Sequence, residues 1–400
     1  MTAPRGGSPR PCPICGSLES RRLFRQRFER LSGIQFIDGY DVVVCVRCGL
    51  AFADGIPDQS VLDAYYRDLS KYEYMHTGGK ESDLDERRFR DIAAAVAAFL
   101  PSPASRVLEI GCATGRLLAL VREGGCANVL GLDPSPGCAR AARELYGVHV
   151  LVGSMFDIPA PPASVDFVIL IGVLEHVEDV RGAMTHVRNV LSPNGRVYAE
   201  VPDAAHLAGR PDAPYQEFST EHINFFSTAS LANLFEASGF ETLATGEPVR
   251  QQHDNTTYPA AFGVFQKRDA VPEKVEPARD EITEPGLQRY IAESAAIEDR
   301  TRQQITRLAA GRPLVVWGTG THTQRLLAIG AFEGVRVAAF VDSNPKYHGR
   351  ELHGAPVIAP AALAGRKEPI LISTRGFQSE IQNQIRRELN LDNEIILLYQ

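Results

Sequence analysis

Four cysteines near the start of the chain stand as two CxxC pairs, Cys12–Cys15 and Cys45–Cys48. Each pair can offer two thiolate sulfurs from one tight turn. Two such turns can close a tetrahedral shell around a single Zn²⁺. Gly16 and Gly49 follow the pairs directly, where a left-handed backbone is often needed. Four protein ligands leave no open position, so the expected metal is structural rather than catalytic. Buried free thiols or a redox pair are the alternative, and two knuckles around the strand-like Tyr40–Val44 favour the metal. Cys112, Cys126 and Cys138 are expected to be small core residues.

A second group of residues carries nucleoside-binding chemistry. Glu109-Ile110-Gly111-Cys112-Ala113-Thr114-Gly115 follows an apolar strand and opens a helix. Its spacing is ExGxxxG, and glycines at such a turn let backbone approach a ligand closely. Asp133 ends the next strand, where an acid can accept both hydroxyls of a ribose. Ser154, Met155 and Phe156 follow a third strand and suit the face and edge of an adenine. Glu175-His176 follows a fourth, where a plain helix start is the simpler reading. Further on, Glu221-His222 precedes an aromatic turn, Phe225-Phe226.

The elements that must position these groups read as α/β. A helix is expected around Glu86–Leu100, with Phe89, Ile92, Ala93, Val96 and Phe99 on one face. From Arg106 onward, short apolar strands alternate with helices, the pattern of a parallel sheet covered on both faces. A second, smaller α/β unit begins at Pro313, with strands at Leu314–Trp317, Val337–Val341 and Ile370–Ser373. The expected organisation is a zinc-binding N-terminal domain over 1–85 and a central Rossmann-like domain over 86–246. A linker and helical segment follows over 247–312, then a C-terminal Rossmann-like domain over 313–400. The 400 residues are 44% hydrophobic and 23% charged, which excludes bulk disorder. A net charge of −7 without a basic block argues against a nucleic-acid partner. No run of 18 apolar residues is present, so no membrane span is expected. A start without an apolar leader and an odd count of 7 cysteines point to a reducing cytoplasm.

The glycine loop and its acids resemble those of the class I S-adenosylmethionine-dependent methyltransferases, over roughly Arg106–Gly246. The resemblance implies that Glu109, Gly111 and Gly115 face the methionine portion of the cofactor. It places Asp133 on the ribose and Ser154, Met155 and Phe156 around the adenine. The order of parts along the whole chain resembles the zinc-containing nucleotide-sugar C-methyltransferases. These parts are the CxxC pairs, Tyr72-Glu73-Tyr74, the methyltransferase core, Glu221–Ser227 and a Rossmann-like tail. That family typically carries Tyr-His-Glu-His; here the stretch is Ser219-Thr220-Glu221-His222, with Glu-His kept.

The resemblance implies methyl transfer to a carbon of a nucleotide-linked keto-deoxysugar. A carbon beside a ketone becomes nucleophilic only after losing a proton, which calls for a base and for donors to the enolate oxygen. His222 is the expected base, because histidine titrates near neutral pH. Glu221 would orient it or bind a sugar hydroxyl, and Tyr72 and Tyr74 would bind substrate or relay protons. A capping or core role for His222, and interface packing for the tyrosines, are the plainer readings. O- or N-methylation of another small molecule is the alternative activity, and a non-catalytic zinc-ribbon module a third. In the C-terminal unit, Gly318-Thr319-Gly320 with Asp342 is a partial dinucleotide fingerprint. Contact with a substrate diphosphate, a purely structural role and an NAD site all remain open for it.

Overall fold

The computed structural model describes residues 9–34, 37–69, 81, 83–209, 213–253, 256–273, 276–309 and 311–399. Strands β1 (Ser20–Arg27), β2 (Gly39–Cys45) and β3 (Ala51–Asp54) form an antiparallel meander. The CxxC pairs flank it, one before β1 and one at the β2–β3 turn. Helices α1 (Gln59–Leu69) and α2 (Asp83–Phe99) then lead to the central sheet.

That sheet starts with β4 (Val107–Ile110), α3 (Arg116–Glu123), β5 (Val129–Asp133), α4 (Pro136–Tyr146) and β6 (Val150–Val152). It continues through β7 (Val165–Ile171), α5 (Val180–Val190) and β8 (Leu191–Pro202). All four residues of β4 are buried, as expected for a strand covered on both faces. Local signals end the helices: Ser135 caps α4 by accepting from Cys138 N, Pro136 opens it, and Gly147 closes it at φ 61°. The parallel strands run in the order β8-β7-β4-β5-β6. Strand order therefore reverses at β4, and a crevice opens between the segments that leave β4 and β7.

Strand β9 (Asn224–Phe225) leaves the central sheet and pairs with β3, Ala51 opposite Phe225. The N-terminal sheet thus takes its fourth strand from beyond residue 220, outside the expected span of 1–85. Helix α6 (Thr228–Ala237) and strands β10 (Phe240–Gly246), β11 (Val249–His253) and β12 (Thr256–Lys267) follow. β12 runs antiparallel to β8 over seven register pairs, from Ala260↔Pro202 to Gln266↔Arg196, and also carries β10 and β11. The stretch expected as linker from residue 247 therefore begins with two strands of the central sheet. Pro259 and Gly263 inside β12 read as strand breakers in sequence, and residues buried in runs hide its period of two.

Helix α7 (Thr283–Ala309) bridges to the C-terminal unit. There β13 (Leu314–Trp317), α8 (Thr321–Ala328), β14 (Val337–Val341), β15 (Glu351–Leu352) and β16 (Ala355–Ile358) are followed by β17 (Ile370–Ile372), α9 (Gln378–Asn383) and β18 (Ile395–Leu397). The sheet order is β15-β16-β14-β13-β17-β18, parallel except for β15. One buried side chain joins the units. Arg325 of α8 pairs with Glu298 of α7 at 2.6 and 3.0 Å and donates to Gln26 of β1. Its guanidinium lies 4.0 Å from the ring centre of Tyr215. Gln26 in turn donates to the carbonyl of Phe218 at 2.6 Å.

Candidate active site

A cavity of about 530 Å³ opens at the crevice where strand order reverses. One wall is the loop after β4. Gly111 and Gly115 sit at φ 73° and 76°, and a Cβ on Gly111 would lie 2.6 Å from the Val173 side chain. Asp133 fixes this loop, accepting from Ala113 N and Ser135 N at 2.9 Å each. Glu109 is buried behind it, and its Oε2 has no partner. Burial, and then the charge of Asp133, push the Glu109 pKa well above the usual carboxylate range. Ser154, Met155 and Phe156 line the next stretch of the same wall. These residues fit S-adenosylmethionine. The loop turns through left-handed glycines packed against Val173, Ala142 and Val148, Asp133 places a carboxylate in the cavity wall, and Glu109 is a buried carboxyl in need of donors.

The opposite wall holds acid–base groups from two segments. Leu174–His176, one 3₁₀ turn after β7, brings Glu175 and His176 into the cavity. The segment between β8 and β9 brings Glu217, Glu221 and His222. The His176 and His222 rings meet edge to face, with centroids 5.0 Å apart. His176 Nδ1 lies 2.9 Å from both Tyr66 Oη and the Glu221 carbonyl. Glu221 Oε1 accepts from Tyr65 at 3.2 Å, and His222 Nδ1 stands 3.4 Å from Glu217 Oε2. Ser219, where the resembled family has tyrosine, shapes the turn: its Oγ accepts from the amides of Glu221 and His222 at 3.1 and 3.0 Å.

Burial shapes the titration of this wall. It pulls the His222 pKa down, and the surrounding Glu217, Glu175 and Glu221 more than reverse that, so the net shift is upward. Glu175, 4% exposed, is pushed by burial up to about 7, with His222 working the other way. Tyr72 and Tyr74 lie outside the described residues. The tyrosines placed against this wall are Tyr65 and Tyr66 of α1, which sequence reading passed over. Glu217 was missed as well, because Pro214-Tyr215-Gln216-Glu217 matches no motif. The adjacent Tyr65-Tyr66 pair was the one available signal.

The C-terminal unit closes the cavity. His322, Thr374, Arg375, Gly376 and Phe377 all line it. Burial lowers the His322 pKa to about 3, so its ring is neutral. Its Nε2 meets Tyr399 Oη at 2.5 Å, and its Nδ1 is buried without a partner. Asp342 accepts from both the amide and the hydroxyl of Thr319, and from Asn344 N at 2.8 Å. The partial dinucleotide loop thus folds onto its own acid.

Away from the cavity, the four cysteine sulfurs cluster within 4.8 Å of one another. Cys12–Cys48 and Cys15–Cys45 stand 3.5 Å apart. Bonds of about 2.3 Å in a tetrahedral ZnS₄ site imply edges of roughly 3.8 Å, so the donor set is compatible with zinc. Gly49, at φ 81°, has no room for a side chain, since a Cβ would fall 2.2 Å from Asp280 O.

A family model described as a methyltransferase domain matches residues 84–245, and one described as C2185-like, N-terminal, matches residues 312–397. The C-methyltransferase NovU of Streptomyces niveus is 25% identical over 342 residues, covering 81% of this chain and 77% of that protein. A probable S-adenosylmethionine-dependent methyltransferase of Mycolicibacterium smegmatis is 32% identical over 136 residues, 34% of this chain and 51% of that protein. The solved S-adenosylmethionine-dependent methyltransferase of Mesorhizobium loti aligns with 44% of this chain and 96% of its own, at 19% identity and a TM-score of 0.38. Residues 84–245 contain the whole glycine-loop wall of the cavity, and over them the chain carries a methyltransferase domain.

Proposed function

We propose that the protein methylates a carbon of a nucleotide-linked keto-deoxysugar through base-assisted enolate formation. One observation carries this reading. One cavity is lined by Asp133, by the facing rings of His176 and His222, and by Arg375 of the C-terminal unit. It thus brings residues suited to a methyl donor, acid–base groups and a guanidinium to one space. The similarity to a relative named as a C-methyltransferase supports the same choice.

S-adenosylmethionine, when bound, supplies an electrophilic methyl group on a sulfonium sulfur. Glu109, Gly111, Gly115, Asp133, Ser154, Met155 and Phe156 would hold it. His222 would take the proton from the acceptor carbon beside the ketone. His176, whose Nδ1–H faces the Glu221 carbonyl, would in its protonated form donate Nε2–H to the enolate oxygen, and Tyr65 would steady Glu221. Arg375 and the amides that open α8 would meet the phosphates of the carrier. Asp342 is engaged by Thr319, which favours this use of the C-terminal unit over an NAD site. Cys12, Cys15, Cys45 and Cys48 would hold a structural zinc.

The test is mass-spectrometric detection of methyl transfer across a panel of keto- and hydroxy-sugar nucleotides. It is paired with exchange of the acceptor's α-proton in deuterated water without donor. Exchange and a gain of one methyl on carbon are expected for a keto-sugar. His222→Ala should slow transfer by about 10²–10⁴-fold, the usual share of a general base, and leave donor binding intact. Methyl transfer to a hydroxyl without exchange would replace this reading with O-methylation.

A further inference from the structure

The sequence sets His222 beside Glu221, yet the fold turns these two side chains to different tasks. Glu221 reaches Tyr65, and its carbonyl faces His176. The carboxylate next to the His222 ring comes from Glu217, five positions earlier, with Oε2 3.4 Å from Nδ1. Both side chains are largely buried, 15% exposed for Glu217 and 23% for His222.

We propose that Glu217 is the positioning residue of the base: it holds His222 as the Nδ1–H tautomer, so that Nε2 faces the acceptor, and it balances the charge His222 gains. This rests on reading His222 as the base. In the enolisation step the acceptor C–H bond breaks and its proton passes to Nε2. The bonding pair moves toward the carbonyl oxygen, and the ring becomes an imidazolium whose Nδ1–H still faces a carboxylate. A second group bonded to the base fixes its ring orientation and tautomer, as in other acid–base pairs.

Glu217 is itself held in place. Its amide donates to Tyr290 of α7 at 3.0 Å. The next carbonyl, of Phe218, accepts from Gln26 of β1 at 2.6 Å, and that of Ser219 accepts from Tyr40 of β2 at 2.8 Å. Tyr215, two residues before Glu217, lies under Arg325 of α8. All these anchors come from outside residues 84–245. A locked support of this kind lets a side chain orient its neighbour without losing entropy on each turnover. Other titratable groups also face His222. Glu175 and His176 come from the turn after β7, and Glu221 from the same segment. Tyr66 of α1 stands behind His176, and His322 of α8 lines the same cavity. Burial lowers the His222 pKa, and Glu217, ahead of Glu175 and Glu221, raises it again.

The experiment needs no acceptor, so its outcome is independent of the substrate panel. The full chain is labelled with ¹⁵N-histidine, and the His222 resonances are assigned by their loss in His222→Ala. Tautomer and pKa are then read by nuclear magnetic resonance in the wild type, Glu217→Gln and Glu221→Gln. The wild type is expected as the Nδ1–H tautomer. Glu217→Gln should lower the His222 pKa by about one unit or more, a tenfold loss of proton affinity, as expected when an adjacent opposite charge is removed. Glu221→Gln should change it by less than about threefold on the same scale. The remaining histidines report that each variant is folded. A wild-type ring in the Nε2–H form overturns the proposal, even if Glu217→Gln does not fold. So does a Glu221→Gln shift equal to or larger than that of Glu217→Gln. Once an acceptor is known, Glu217→Gln should also move the acid limb of the kcat profile to lower pH, which a loosened loop alone would not do.

Discussion

Asp133 ties two functions to one carboxylate. It pins the glycine loop through Ala113 N and offers its charge to the cavity. Asp133→Ala should weaken S-adenosylmethionine binding at least tenfold by calorimetry, since charge-assisted bonds contribute about 1.5–3 kcal/mol each. Unchanged affinity in a folded variant would place the ribose elsewhere. Glu175 makes a different prediction. Its folded pKa, about 7, lies above the ordinary value of 4.5, so the folded state holds the proton more tightly. The stability it contributes is present below the unfolded pKa and is lost as pH rises through the folded one. Glu175→Gln should therefore raise the melting temperature relative to wild type at pH 8, by about 1–3 kcal/mol of stability, with the gap closing by about pH 5. An equal gap at both pH values would show that the carboxyl is not the cause. At this scale the grouping of Glu109, Gly111, Asp133 and Ser154–Phe156 along one cavity was legible, because strand, glycine turn and acid are local signals. Glu217, Tyr65 and Tyr66 were not, because only the folded backbone brings them to His222 and His176.

At the scale of elements, the two cysteine turns and the β-meander between them act as one unit. Zinc affinity in such a unit is folding free energy. Metal analysis of freshly purified protein should find about one zinc per chain, and Cys45→Ser should lose it together with resistance of residues 9–69 to proteolysis. Absence of zinc from unchelated protein would refute this. The alternating helices and strands of the two Rossmann-like units were readable from periodicity. β12 was not, because Pro259 masks a long central-sheet strand. β9 was not either: two residues carry no period, and their pairing with β3 is set by tertiary contact.

Across the whole molecule, Arg325 is where the N-terminal sheet, α7, the Tyr215–Phe218 segment and α8 converge. Removing one partner of a buried ion pair leaves the other charge uncompensated, at a cost of about 3–5 kcal/mol. Arg325→Met should therefore lower stability by that order in urea unfolding. Adding Glu298→Gln should recover a large part of it, and a fully additive double variant would argue that the pair does not bind the units together. The order of domains was readable in the sequence, whereas their interlocking was not, since Gln26, Tyr215, Glu298 and Arg325 lie far apart along the chain.

The pairing of β3 with β9 also orders events during synthesis. The cysteine-bearing sheet leaves the ribosome early, but the neighbour of Ala51 and Phe52 is encoded only at Asn224–Phe225. At 5–20 residues per second, translation takes roughly 10–30 s to cover that gap. Throughout it, β3 presents an open apolar edge, the kind of surface that recruits strands from other nascent chains. Early capture of metal by the four cysteines would keep the waiting meander in shape, so the speed of elongation through the central sheet and the supply of zinc at the ribosome would together set the yield of native protein.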